Sequence, residues 1–309
     1  MTSPGADSAI EADRLALVVV NFASSSLLAA NLVDPGLRSI IGCVVVVDNR
    51  STLEETRRVR ELCVANDWIL VELPRNEGFG AGVNAGITRA REFGCTRVLA
   101  LNPDATIDPE SVRMLVAAST ADPRALIAPR IVRPDATVWF SGAVLDPRTG
   151  TTRPAREAEL EGDTTWQTGA CFLATIAMWD EVGGFDDDYF MYWEDIDLSW
   201  RWHEAGGRLV VLEHATAVHD AGGTQSGAGK SPMYVYFNCR NRLLFARKRF
   251  ASRFGRRWWT ASVGYGWNVA TRGSRRMLAK HPLLLWSAFR GTLAGAFGGL
   301  TPRRVSARR

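Results

Sequence analysis

Acid is missing from one end of this 309-residue sequence: Asp220 is its last carboxylate side chain. Residues 221–309 hold 18 Lys and Arg and no Asp or Glu, leaving 19 basic against 33 acidic residues in 1–220, a net charge of −14. The overall +4 therefore conceals an acidic body with a basic tail. Cysteine is sparse and odd in number: Cys43, Cys63, Cys95, Cys171 and Cys239 are scattered, and no pair has metal-ligand spacing. That excludes a disulfide framework and a cysteine zinc site. Cys43 and Cys171 lie in apolar runs and read as small buried hydrophobes of a protein in a reducing cytoplasm. Met1–Asp13 has neither the basic nor the apolar segment of a secretory signal and reads as a frayed tail. Internal repeats are absent, and the one low-complexity stretch, Gly222–Gly229, reads as a mobile loop. With 46% hydrophobic and 23% charged residues the chain is globular, with length for one large or two smaller domains.

What is present begins with alternation. Leu15–Asn21 is a continuous apolar run, as expected of a strand buried on both faces of a parallel sheet. Strands are predicted again at Cys43–Val47, Trp68–Leu73 and Arg97–Leu101, with helical spacing at Glu54–Asn66 and from the glycine-rich segment 76–86 through Phe93. The pattern predicts a doubly wound α/β sheet with right-handed crossovers. Ligands of such sheets bind outside the carboxyl ends of the strands, where Asn21, Asp48, Asn49, Asn102 and Asp104 stand. After Asp108 a helix (Pro109–Ala118), a strand (Ala125–Ile131), a polar segment (Pro134–Asp163) and Trp166–Thr175 suggest a mixed second half. Strand-like runs at Arg208–Leu212 and Ala215–Val218 lead to His219.

From Met233 onward helix-forming sequence dominates, with Arg240, Arg242, Arg247, Lys248 and Arg249 interleaved among apolar residues. Pro282–Leu300 is apolar for nearly a membrane width, but Arg290 and several glycines interrupt it. A basic, Trp-rich helical tail of this kind is expected to lie against an anionic lipid surface rather than to span it.

The densest chemical signal is Tyr189–Arg201, where Glu194, Asp195 and Asp197 sit among five aromatic rings. It reads either as an acidic helix start favoured by the helix dipole, or as a site where a carboxylate takes a proton from a hydroxyl of a ring-shaped substrate. Asp48-Asn49-Arg50-Ser51 could contact a pyrimidine base or simply form a turn. The segment Asn76–Gly86 lacks the Gly-Lys-Ser/Thr of a phosphate-binding loop. Its small residues either admit a ribose and diphosphate to the backbone or serve helix–sheet packing. Asp104 could hold a hard divalent cation together with substrate phosphates, or act as a turn residue. His219 could be a metal ligand or structural.

Taken in order, these segments resemble glycosyltransferase family 2, the inverting nucleotide-sugar transferases, and especially its bacterial rhamnosyltransferase-like branch. The resemblance is carried by Val-Val-Asn-Phe (19–22), Val-Val-Asp-Asn-Arg-Ser (46–51), Asn-x-Gly-x-Gly-x-Gly-x-Asn-x-Gly (76–86), Leu-Asn-Pro-Asp (101–104) and Gly-Ala (169–170). It continues through Gly-Gly-Phe-Asp (183–186), Phe-x-Tyr-Trp-Glu-Asp-x-Asp-Leu-x-x-Arg (190–201) and His219, and loosely the Arg240-Asn241-Arg242 helix. It implies a GT-A nucleotide-sugar transferase fold, doubly wound and mostly parallel, with a basic helical C-terminal extension. The implied organisation is a tail at 1–13, a catalytic domain at 14–225 (nucleotide half 14–108, acceptor half 109–225) and a membrane-associating region at 226–309.

At matching positions the resemblance implies that Asp48 contacts the base, with Asn21, Phe22 and Asn49 shaping its pocket. Gly78, Gly80, Asn84 and Asn102 fall on the ribose-diphosphate side. Asp104 would hold Mg2+ or Mn2+, with His219 as a further ligand, and Asn102 stands where the family's Asp-x-Asp motif has its first carboxylate. Asp195 matches the catalytic base and Glu194 an acceptor contact. Trp193 is expected to stack on a sugar ring, near Gly169 and Ala170. Asp197 is read instead as a helix-face partner of Arg201. Implied partners are a dTDP- or UDP-sugar, a glycan or polyprenyl-diphosphate-linked acceptor and an anionic membrane at the cytoplasmic face, with no nucleic acid. A nucleotidyltransferase would need a basic glycine-rich loop near the N-terminus, and Ala16–Ser26 has no Lys or Arg. A nucleic-acid binder fits the tail but not the acidic body. An inactive sugar-binding module remains open, as do galactose, galactofuranose and glucose beside rhamnose.

Overall fold

The computed structural model describes residues 14–32, 35–160, 162–220, 231–250, 256–271 and 283–298. The tail expected at Met1–Asp13 and the loop at Gly222–Gly229 lie outside them. Strand β1 (Leu15–Asn21) is buried along its whole length. Its odd residues Leu15, Leu17 and Val19 enter one hydrophobic core and its even residues Ala16, Val18 and Val20 the other. Successive strand side chains point to opposite faces, so an unbroken apolar run places β1 in the middle of a two-sided sheet. It pairs in parallel with β2 (Cys43–Asp48) and β4 (Arg97–Leu101), and β3 (Ile69–Glu72) adds to β2 at the edge. Helices α1 (Ser25–Asn31), α2 (Pro35–Arg38), α3 (Leu53–Asn66) and α4 (Phe79–Glu92) make the crossovers. The Thr52 hydroxyl caps α3 by accepting from Glu55 N–H.

Beyond β4 the sheet becomes mixed. Strand β5 (Ala105–Ile107) and helix α5 (Pro109–Ala121) precede β6 (Ala125–Val132) and β7 (Val138–Phe140). The Asp108 side chain caps α5 and Pro109 opens it, as that sequence predicts. The polar segment after Pro134 is not only loop: β8 (Ala143–Asp146), β9 (Thr151–Pro154) and β10 (Thr165–Trp166) form a separate three-stranded sheet. Strand β11 (Cys171–Thr175) inserts antiparallel between β4 and β6. Helices α6 (Ile176–Val182) and α7 (Glu194–Glu204) lead to β12 (Arg208–His219), one strand with an irregularity between Leu212 and Thr216 where two runs were expected. The main sheet runs β3-β2-β1-β4-β11-β6-β12-β5.

Helices α8 (Pro232–Arg249), α9 (Arg256–Thr271) and α10 (Leu283–Phe297) complete the described chain. They are packed onto the body: Leu243, Leu244, Phe245, Trp258 and Ala296 share a core with Leu145, Tyr189, Trp193 and Ile196. Among the described residues no helix is long and apolar enough to cross a membrane. The expectation of a tail showing its positive charge outward needs correction at α8. Arg240 donates to Asp188 O, Arg242 to Thr149 O and Ser262 Oγ, and Arg247 to Gly295 O and Gly298 O, while Lys248 and Arg249 reach carboxylates of the body. The body is acidic, and burying its carboxylates requires cationic partners.

Candidate active site

The polar residues at the strand ends form a linked floor. Asn21 and Asp48 are register partners on β1 and β2, and Asn21 Nδ2 donates to Asp48 Oδ1 at 3.1 Å. Thr56 Oγ1 donates to Asp48 Oδ2 at 2.6 Å, so both oxygens of this buried carboxylate are engaged. Asn49 accepts from Glu77 N–H and donates to Gly78 O, tying the end of β2 to the glycine segment. Phe22, beside Asn21, leaves 50% of its surface exposed.

The glycine segment in turn touches the acidic one. Gly78 has φ +94, and a Cβ there would lie 2.2 Å from Phe190 O. The backbone N–H of Phe79 donates to that same carbonyl at 3.2 Å. A Cβ on Gly80 would meet Phe185, and Asn84 donates to Phe185 O and accepts from Phe185 N–H. These three residues therefore hold loop 183–193 against α4. Only a glycine lets the two backbones approach this closely at Gly78.

Asp104 and His219, one after β4 and the other closing β12, are both buried and meet with Nε2–Oδ1 at 3.1 Å. Trp139 lies edge-on to the imidazole, ring centroids 4.5 Å apart. His219 Nδ1 is buried with no hydrogen-bond partner among the described residues. A carboxylate oxygen beside an imidazole nitrogen suits a divalent cation of Mn2+ or Mg2+ type. Among the described residues no group of three or more His, Cys, Asp or Glu could hold an ion, so further ligands would have to come from substrate. Asn102 lies close by, its N–H donating to Ala170 O.

Glu194 and Asp195 open α7, with Asp197 completing an acidic first turn. Asp195 Oδ1 accepts from Ile196 N–H at 2.8 Å and Oδ2 from Gly169 N–H at 3.4 Å. Burial pushes its carboxyl up to about 6, against the pull of those backbone donors. Glu194 is more deeply buried, and its Oε2 has no hydrogen-bond partner among the described residues. Burial first, and the neighbouring charge of Asp195 second, hold Glu194 well above the usual carboxylate range. Burial thus disfavours the charged form of both members of this adjacent pair.

Two sequence-based expectations meet different fates here. Asp197 pairs with Arg201 at 2.7 Å on the same helix face, as expected. Trp193 does not form an open stacking wall: it is 3% exposed, packs against Phe245 and points its indole N–H at Tyr265 Oη. An aromatic ring beside carboxylates reads as a sugar platform in sequence, but α8 and α9 cover it. Ala170 is likewise buried, while Gly169 reaches the pair through its backbone.

Helix α8 supplies residues that motif reading did not place in the site. Arg249 gives Asp197 a second cationic partner at 2.8 Å. Lys248 bridges Asp186 and Asp188. Burial opposes ionisation of Asp186, yet Lys248 and the Asp188 N–H together hold its carboxyl below the usual range. The only sequence signal for these contacts was the loose match at Arg240-Asn241-Arg242.

Residues 43–197 match the family model "Glycosyl transferase family 2", half of the chain. The low-salt glycan biosynthesis hexosyltransferase Agl10 of Haloferax volcanii is 26% identical over 79% of this chain and 79% of its own length. The N-acetylglucosaminyl-diphospho-decaprenol L-rhamnosyltransferase of Mycobacterium tuberculosis is 33% identical over 47% of this chain and 56% of its own length. Among solved structures, the mannosyltransferase PcManGT from Pyrobaculum calidifontis, in complex with GDP-Man and Mn2+, aligns with TM-score 0.53 at 17% identity. It covers 93% of this chain and 76% of that one. GalNAc-T7 with UDP, GalNAc and Mn2+ also gives 0.53, at 12% identity over 84% and 58% of the two chains. The family model spans half of the chain and the solved neighbours share its fold, so the chain belongs to glycosyltransferase family 2, with the GT-A architecture of that class.

Proposed function

We propose that this chain is an inverting glycosyltransferase that moves a sugar, rhamnose as the first candidate, from a dTDP- or UDP-sugar to a hydroxyl of a glycan or polyprenyl-diphosphate-linked glycan. The carrying observation is the placement of Asp195 and Glu194 at the start of α7, where two backbone N–H groups orient the Asp195 carboxylate and Glu194 Oε2 is buried with no hydrogen-bond partner among the described residues. The acceptor oxygen attacks the anomeric carbon in line and its proton passes to the Asp195 carboxylate. The bond from that carbon to the diphosphate oxygen breaks, and the electron pair leaves with the nucleoside diphosphate. Glu194 contacts the acceptor. Asn21, Phe22, Asp48 and Asn49 line the base pocket, and the ribose-diphosphate lies along Gly78, Gly80, Asn84 and Asn102.

Asp104 and His219 would hold Mg2+ or Mn2+ together with the diphosphate, and the fit rests on the contact of a carboxylate oxygen with imidazole Nε2. When bound, the ion offsets the charge that develops on the departing diphosphate. The Mn2+ named for both solved neighbours supports a divalent ion. The lipid-linked acceptor is supported by the name of the mycobacterial relative, and it implies work at the inner face of the cell membrane in envelope polysaccharide synthesis. The direct test is nucleoside diphosphate release from a panel of UDP-, dTDP- and GDP-sugars, with and without Mn2+ or Mg2+, for wild type and Asp195→Asn. A dTDP- or UDP-sugar is expected to be turned over only with metal and only by wild type. Turnover by the Asn variant at the wild-type rate would refute the base assignment.

A further inference from the structure

Helix α10 is built inside out. The face it turns to α8 carries Leu284, Ala288, Gly291 and Gly295, all buried. A Cβ on Gly291 would stand 2.2 Å from Tyr236 O, and one on Gly295 2.2 Å from Arg240 O, so the helix backbones touch. The opposite face carries the large side chains: Trp286 is 54% exposed, Phe289 52% and Phe297 74%, with Leu293 and Arg290 between them. At 100° per residue positions 286, 289, 290, 293 and 297 form one stripe. Trp286 and Phe289 stack on each other with centroids 5.6 Å apart, and Phe297 meets Trp259 of α9.

A helix of a water-facing domain puts its large apolar residues inward and its polar ones outward. Small residues against a neighbouring helix and large ones outward is the arrangement of helices that face lipid. At 15 residues α10 is too short to span a bilayer core, which takes about 20. The surrounding charge favours the same medium: the 89 residues after Asp220 carry no carboxylate, and Arg290 lies within the stripe itself. Five cations of α8 face inward, so charge attraction alone has fewer groups to work with than the sequence suggests.

We propose that the Trp286–Phe289–Leu293–Phe297 face of α10 inserts into the headgroup and upper acyl region of an anionic bilayer, lying in the plane of the interface. The inference extends the lipid-linked-acceptor reading and rests on it for its biological sense. Through α8, whose Asn241 and Lys248 grip the loop before Glu194, the inserted face and the acceptor side of the site belong to one packed unit.

The test is co-sedimentation of the full chain with phosphatidylglycerol–phosphatidylcholine vesicles at low and high salt, alongside quenching of tryptophan fluorescence by lipids brominated near the headgroup. Wild type is expected to stay bound at high salt and to be quenched. Removing a buried aromatic ring costs about tenfold or more in partition, so Trp286→Ser with Phe289→Ser should lose about a hundredfold. Donor hydrolysis and the circular-dichroism melt should stay unchanged, because both side chains are exposed. Binding that vanishes with salt, or a double variant that binds like wild type, would overturn the proposal. So would a variant that changes a dimer to a monomer while vesicle binding persists, since the face would then serve a second copy. The acceptor reading is tested apart, by comparing transfer to soluble and polyprenyl-linked glycans. Salt-resistant binding abolished by the substitutions upholds the docking face whichever acceptor is used.

Discussion

The side-chain amide of Asn241 donates to the backbone carbonyls of Met191 and Tyr192, both at 2.8 Å. Those carbonyls belong to the turn that delivers Glu194 and Asp195, and its residues Tyr192 (φ 65) and Trp193 (φ 74) both hold the left-handed conformation. Non-glycine residues adopt it at a cost of about 1–2 kcal/mol each. A buried amide from α8 and the packing of Trp193 stabilise the turn, so a helix outside the matched family segment sets the aim of the carboxylate pair.

Asn241→Ala should therefore lower kcat with little change in donor KM. A displacement of about 1 Å at a reacting group costs on the order of 10²-fold. Steady-state kinetics on a variant with wild-type circular dichroism checks this, and a kcat within twofold of wild type would remove Asn241 from the positioning apparatus.

Asp195→Asn should lose about 10²–10⁴-fold in kcat/KM, the usual worth of a general base. The wild-type profile should rise with pH through about 6, where Asp195 ionises, and level off above it. In the Asn variant the residual rate should lack that limb.

The same substitution carries a stability signature of the opposite sense. The Asp195 carboxyl is raised from 3.8 to about 6 in the folded protein, so burying its charged form costs stability above pH 6. That cost is relieved as pH falls from about 6 toward 4, where the folded protein takes up the proton before the unfolded chain does. Thermal melts should show Asp195→Asn the more stable at pH 8, with the gap closing toward pH 4.

His219→Ala and Asp104→Ala should weaken Mn2+ binding measured by calorimetry in the presence of a nucleoside diphosphate. Disturbing even an outer-shell neighbour of a metal typically costs 10–100-fold, so loss of a direct ligand should exceed about tenfold. Unchanged affinity in both variants would leave the Asp104–His219 contact a purely structural one.

Asp197→Ala should destabilise the fold by about 3–5 kcal/mol, because it leaves the guanidiniums of Arg201 and Arg249 without their shared buried carboxylate. Denaturant unfolding reads this directly. A loss under 1 kcal/mol would mean that water reaches the triad.

Local pattern was enough to determine the strand–helix alternation of the parallel half, the polar strand ends and the acidic start of α7. Burial on both faces writes an unbroken apolar run at Leu15–Asn21, and a strand's polar terminus is adjacent to it in sequence. Asp197 with Arg201 was legible for the same reason, since a helix brings residues four apart onto one face. Tertiary structure decided what periodicity does not encode. Asp104 meets His219 across 115 positions, and Asp197 meets Arg249 across 52. Trp193 turned inward because α8 and α9 cover it, and Lys248 and Arg249 of α8 turned inward because carboxylates of the body lie beneath them. Sequence reports which groups a segment carries, but which face a segment buries depends on the charge and shape of the surface it lands on. That surface is assembled from residues far away in the chain.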